Sequence, residues 1–181
     1  ISAIGKVVAE MHPELINYAD IDYYFELPSL AKQLRPNVLG EIAPNWNVGH
    51  FTKSHYDRYD NVIYHVGNGN HHAATLSCAL TMPGVVVLHD LNIEGVYADL
   101  LKNRLIDQSR YDLEVELDSR AGNKSKFITS LVNRQRSVII HSDYAQKIVG
   151  DLLLPQSHTS LVRANLATPT PKYAIDSKVG G

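Results

Sequence analysis

Two short apolar runs, Val62–Val66 and Val85–Leu88, each end on residues able to do chemistry: Gly67-Asn68 after the first, His89-Asp90 after the second. An imidazole at such a point can hydrogen-bond a sugar or phosphate oxygen, orient an acceptor, or assist proton movement. The plainer reading of the pair is that Asp90 caps a helix beginning at Leu91 while His89 packs. In Gly67-Asn68-Gly69-Asn70, glycine permits close backbone approach, and N–H groups at a following helix start could receive an anion or a sugar oxygen. This run is neither a Gly-x-Gly-x-x-Gly fingerprint, because residue 72 is histidine, nor a Walker loop, because no Gly-Lys-Ser/Thr follows. Taken alone it is a turn.

His71-His72, with His65, His89 and Asp90 in the same stretch, raises the question of a metal. Adjacent histidines on a helix point about 100° apart, so both seldom bind one ion. Spacings of the His-x3-His or Cys-x2-Cys type are missing. Histidine–aspartate metal phosphohydrolases carry their His-Asp pair on helices, whereas His89-Asp90 follows Val-Val-Val-Leu, a strand. No metal is therefore assigned. Cys78 falls on an apolar helical face with Leu80 and reads as core, and no Gly-x-Ser-x-Gly elbow offers a hydrolase nucleophile.

The elements that must position these residues follow from periodicity. Between the two runs, Asn70–Met82 is long enough for three helical turns, making a βαβ unit whose parallel strands bring both polar clusters to one edge. Upstream, Ile4, Val7, Val8, Met11 and Leu15 predict an amphipathic helix over 2–18, shortened or kinked at Pro13. Ile21–Phe25 reads as a strand, 29–35 as a short helix ending before Pro36, Val38–Ile42 as another short strand, and 43–60 as loop or broken helix. Downstream, Leu91–Ser109 reads as a helix with Val96, Leu100, Leu101 and Leu105 on one face. Tyr111–Lys126 is charged and reads as exposed. Phe127 to Val132 suggests a helix leading into the strand Ser137–Ile140. Ser142 is an N-cap candidate for a helix over 144–153, and Ser160–Ala164 is a last strand before the proline-bearing stretch at Pro169 and Pro171. Alternating strand and helix predicts an α/β fold with a doubly wound, mainly parallel sheet and helices on both faces.

Bulk properties exclude several classes. Hydrophobic content of 44% and charged content of 20% belong to a globular chain, and a net charge of −2 gives no basic footprint for nucleic acid. One cysteine rules out an intrachain disulfide framework and fits a reducing compartment. No apolar stretch approaches the roughly 20 residues that span a bilayer.

Three blocks together, Tyr64-His65-Val66-Gly67-Asn68, Pro83-Gly84-Val85-Val86-Val87-Leu88-His89-Asp90 and Val138-Ile139-Ile140-His141-Ser142-Asp143-Tyr144-Ala145, resemble the amino-terminal half of retaining glycosyltransferases of the GT-B fold, family 4 (glycosyl transferases group 1). The likeness runs over nearly the whole chain. It implies a Rossmann-like acceptor-side domain over 1–166, one half of a GT-B fold, with 167–181 as linker or tail. In the family a first strand and a Gly-rich loop precede the helix that Ile1–Asp20 resembles, so these are expected upstream. It further implies hexosyl transfer, with retention, from a nucleotide-sugar donor to a saccharide or lipid-linked acceptor in carbohydrate biosynthesis. The donor is held by a second domain that this piece lacks, so the piece alone is expected to be inactive. Residue by residue, His89 matches the family histidine that contacts the transferred sugar, Gly67 and Asn68 match positions lining the cleft with Asp90 beside them, and Ser142 matches the start of a helix facing it. The donor is a substrate, so no cofactor is implied. Nucleic acid is not among the expected partners, and the expected location is cytoplasmic, with room for peripheral attachment to the inner face of the membrane. The competing class is a non-catalytic Rossmann-like module that binds a nucleotide or a protein partner.

Overall fold

The structure is a computed structural model that describes residues 8, 11–26, 46–122 and 126–165. The expected helix over 29–35, the expected strand Val38–Ile42 and the tail at 167–181 lie outside those residues, as does most of 1–10.

The sheet that carries the candidate site has four strands, β3 (Ile63–Val66), β4 (Val85–Leu88), β5 (Ser137–Ile140) and β6 (Ser160–Arg163), side by side in chain order and all parallel. A smaller parallel pair, β1 (Tyr24–Phe25) and β2 (Trp46–Asn47), precedes it. The helices are α1 (Lys53–Tyr56), α2 (Ala73–Thr81), α3 (Glu94–Lys102), α4 (Gln108–Arg120), α5 (Thr129–Arg134) and α6 (Asp143–Leu152). The chain is thus an α/β protein with a parallel sheet flanked by helices, of Rossmann-like architecture.

Why these strands form is visible in their side chains. Val, Ile and Leu dominate β3 to β5, as in parallel strands buried between layers. Tyr64, Val66, Val86, Leu88, Val138 and Ile140 share one face by two-residue alternation and are buried with Leu76 and Ala79 of α2, Val96 and Leu100 of α3, Leu131 and Val132 of α5, and Val149 of α6. Four strands that step in one direction with right-handed crossovers put their connecting helices on that same face. The opposite face carries Ile63, His65, Val85, Val87, Ile139 and Val162, with Ile63 55% and Val162 43% exposed.

Local details bear out most of the pattern and correct parts of it. The 43–60 stretch holds β2, a 3-10 turn at Val48–His50 and the one-turn helix α1. Residues 11–15 are helical straight through Pro13, with Ile16 donating to the His12 carbonyl at 3.1 Å. The Asn70–Met82 helix opens with a 3-10 turn at Asn70–His72 before α2. The Leu91–Ser109 helix is shorter, α3 ending at Lys102, because Arg104 turns to positive φ (57°) and Leu105 N–H closes on the Leu100 carbonyl at 2.9 Å.

The charged stretch Tyr111–Lys126 is not simply exposed. Glu114 and Asp118 on α4 are buried. Glu114 pairs with Arg110 at 2.9 Å and accepts from the Tyr97 hydroxyl at 3.2 Å. Asp118 receives the Phe127 N–H at 2.8 and 3.0 Å on its two oxygens, holding a residue whose φ is 66°. A buried side chain, Gln135, ties the layers together: its oxygen accepts from Gly84 N–H at 3.0 Å and its nitrogen donates to the Ala79 carbonyl at 2.9 Å. Gly84 is required, since a Cβ there would lie 2.4 Å from the Val62 carbonyl oxygen and 2.9 Å from the Tyr64 ring.

Candidate functional site

Register places the chemistry. Val66 pairs with Leu88 and Val87 with Ile139, so His65, His89 and His141 fall on the same face at the carboxyl ends of three neighbouring strands, the face turned away from the helical core. The ladder runs past the strand ends: His89 N–H donates to the Val66 carbonyl at 2.9 Å, and Ala164 N–H to the Ile140 carbonyl at 2.9 Å. Both backbone positions are therefore held firmly.

The three rings form a row. His65 and His89 stack with centroids 5.4 Å apart, and His65 Nδ1 lies 3.1 Å from His89 Nε2. His89 and His141 are 5.3 Å apart, tilted by 36°. His141 Nδ1 lies 2.9 Å from the Ala164 carbonyl oxygen, while its Nε2 is buried without a hydrogen-bond partner among the described residues. His72, buried in the 3-10 turn, completes the cluster beside His65 and His89.

Burial is the first cause of the electrostatics. It pushes His65, His72 and His89 down to about 4, and neighbouring imidazoles push in the same direction, with Asp90 pulling His72 and His89 partly back. At neutral pH these three rings are uncharged hydrogen-bonding groups rather than cations. Among the described residues no group of three or more His, Cys, Asp or Glu is arranged to hold a metal ion.

The rim between β3 and β4 is joined as the βαβ unit predicts. Asn68 N–H donates to Asp90 Oδ2 at 2.9 Å, linking the two strand ends. Asp90 therefore binds the neighbouring turn rather than capping a helix at Leu91; α3 starts later, and it is the Asn92 side chain that receives Glu94 N–H at 3.0 Å. Gly67 is buried and Asn68 exposed. The Asn68 side-chain oxygen sits 3.1 Å from where a Cβ on Gly95 would be, so the first turn of α3 flanks the same rim.

One expectation needs correction. The α2 start is not free to receive an anion: Glu26, just after β1, accepts Thr75 N–H at 3.0 Å, and burial holds its carboxyl above the ordinary range. A carboxylate already seated on these N–H groups repels a phosphate. Ser142 is the N-cap of α6 as its sequence predicts: its hydroxyl accepts Ala145 N–H at 3.1 Å, next to His141.

Sequence reasoning passed over His141 and treated His65 only as a nearby metal candidate. The signal was there in parity: His65, His89 and His141 continue the odd-numbered series Ile63, Val85–Val87 and Ser137–Ile139 of their strands. Glu26 has no such signal, because its partner lies on an element 49 residues away.

No protein-family model, curated protein or solved structure matches this chain. Fold and site together define a Rossmann-like α/β protein with a neutral, histidine-lined rim at the carboxyl edge of its sheet. No helix among the described residues is long and apolar enough to cross a membrane.

Proposed function

We propose that this chain is the acceptor-side half of a retaining, GT-B, family 4 type glycosyltransferase, in which His89 hydrogen-bonds the sugar being transferred. The observation that supports this reading best is the uncharged His89 imidazole at the end of the second of four parallel strands, beside the linked Asn68–Asp90 rim. Open α/β sheets bind ligands outside the carboxyl ends of their strands. A sugar offers neutral oxygens, which suit neutral imidazoles better than phosphate does. Charge in the transition state would develop on the sugar ring and the departing diphosphate, so this half contributes positioning while a donor-binding domain carries the diphosphate. Asn68 and Asp90 hold the rim's shape.

The test has two arms. In the chain joined to a donor-binding second domain, His89→Ala lowers sugar transfer by about 100-fold or more with the melting temperature retained. In the 181-residue chain alone, titration calorimetry with a panel of nucleotide sugars gives no binding. Near-normal transfer by the variant refutes the role of His89. Tight binding of a nucleotide sugar by this chain alone overturns the reading in favour of a nucleotide-binding module.

A further inference from the structure

We propose that a ligand at the strand-end rim meets His89 at Nδ1, and that His65 is the positioning residue that takes up Nε2 and fixes the ring; the functional part of this rests on the rim being the sugar site.

The two ring nitrogens of His89 stand in different surroundings. Nε2 lies 3.1 Å from His65 Nδ1, a hydrogen-bond distance. That bond exists whichever of the two rings carries the shared proton, because a neutral imidazole offers one donor and one acceptor. Nδ1 has no partner among the described residues, and it is not one of the buried polar atoms left unpaired, so solvent reaches it. His141 offers no comparable atom: its Nδ1 is 2.9 Å from the Ala164 carbonyl oxygen, and its Nε2 is sealed from solvent.

His65 can hold the ring because it is itself held. It lies inside β3, paired with Val87 of β4, so strand register sets its distance from the end of β4. Buried His72 bears on its backbone. The His65 and His89 rings stack with centroids 5.4 Å apart and planes 21° apart, and His89 N–H is fixed on the Val66 carbonyl at 2.9 Å. His89 is thus tied at its main chain and at the far tip of its ring, and its side chain is ordered before a ligand arrives. Nδ1 is bonded to Cγ, nearer the main chain than Nε2, so a ligand oxygen that meets it comes in close over the strand end.

Two isosteres separate the nitrogens. Asparagine carries its amide on Cγ, where histidine carries Nδ1, and glutamine carries its amide one bond further out, near Nε2. In the chain joined to a donor-binding second domain, His89→Asn should lower kcat about 10-fold and His89→Gln about 100-fold or more. His65→Phe keeps a ring in the stack but no polar atom, and should lower kcat about 10-fold with KM little changed. His65→Asn, whose amide stands near the place of Nδ1, should recover most of that loss. In the His89→Asn background, which has no Nε2, His65→Phe should change kcat by less than about twofold. A His89→Gln variant more active than His89→Asn overturns the assignment to Nδ1. An equal cost of His65→Phe in both backgrounds overturns the positioning role.

The hydrogen bond itself is read without a sugar, and in the unaltered protein. In the 15N-labelled 181-residue chain at pH 8, scalar coupling through the hydrogen bond should give a cross-peak between His65 Nδ1 and His89 Nε2. Its absence overturns the proposal and leaves glycosyl transfer standing. A cross-peak in a chain that transfers no sugar when joined to its second domain keeps the hold of His65 on the ring, and overturns the transfer reading together with the ligand role of Nδ1.

Discussion

Acidification should unfold this protein through its histidine row before its carboxylates matter. The folded chain holds His65 at about 4, against an ordinary imidazole value near 6.5. A base with a depressed folded value binds fewer protons in the native state than when unfolded. Its stabilising share is therefore fully present above 6.5 and is lost as pH falls toward 4. By linkage, lowering the pH from 7.5 to 5 costs about 2 kcal/mol for His65 alone. His72 and His89 are held down to about 4 as well and act in the same sense, His89 by a smaller share because water reaches it, so the figure for His65 is a lower bound on the loss from the histidines. Glu26 and Asp118, whose carboxyls burial holds above their ordinary range, act in the opposite sense: they retain protons in the folded state that the unfolded chain releases. Their share grows as the pH falls and partly offsets the loss from the histidines. A loss of about 2 kcal/mol corresponds to a fall of about 1 M in the urea midpoint for a slope near 2 kcal/mol/M. Urea unfolding at pH 7.5, 6 and 5 measures this, and His65→Phe should flatten the dependence by roughly one proton's worth. A midpoint that stays constant from pH 7.5 to 5 would show that the rings are solvated and ordinary, and the neutral-rim argument would fail with it.

Two structural predictions follow from close contacts. Gly84→Ala forces a Cβ to within 2.4 Å of the Val62 carbonyl oxygen, a backbone atom that cannot swing away, so unfolding should come about 1–3 kcal/mol earlier in urea; an unchanged midpoint would mean that β3 and β4 do not approach as described. Asp118→Ala removes both acceptors of Phe127 N–H at a residue held at φ 66°, and should cost about 1–3 kcal/mol, read from the thermal midpoint; no shift there would mean that this contact does not hold the turn.

What could be read from the sequence, and what could not, divides along one physical line. β3 to β5 were legible because each carries β-branched residues closed by a polar turn, and parallel strands carry their burial in composition. The α6 boundary was legible because an N-cap serine is a local device: Ser142 answers Ala145, three residues on. Glu114, Asp118 and Gln135 were not legible. Their charges and amides are satisfied by Tyr97, by Phe127 N–H and by Gly84 and Ala79, groups that only the tertiary fold brings near. The site lies between these cases. Parity within each strand says that His65, His89 and His141 share a side with their odd-numbered neighbours, but a slip of one residue in pairing would turn any strand over. Only the registers Val66 with Leu88 and Val87 with Ile139 align the three parities on one face. The rim's chemistry follows from that alignment. A single histidine at a strand end would be solvated and would titrate in the ordinary way. His65 and His89, in adjacent strands, are shielded from water and oppose each other's charge, and so become uncharged hydrogen-bonding groups in a place where a sheet of this kind meets its ligand.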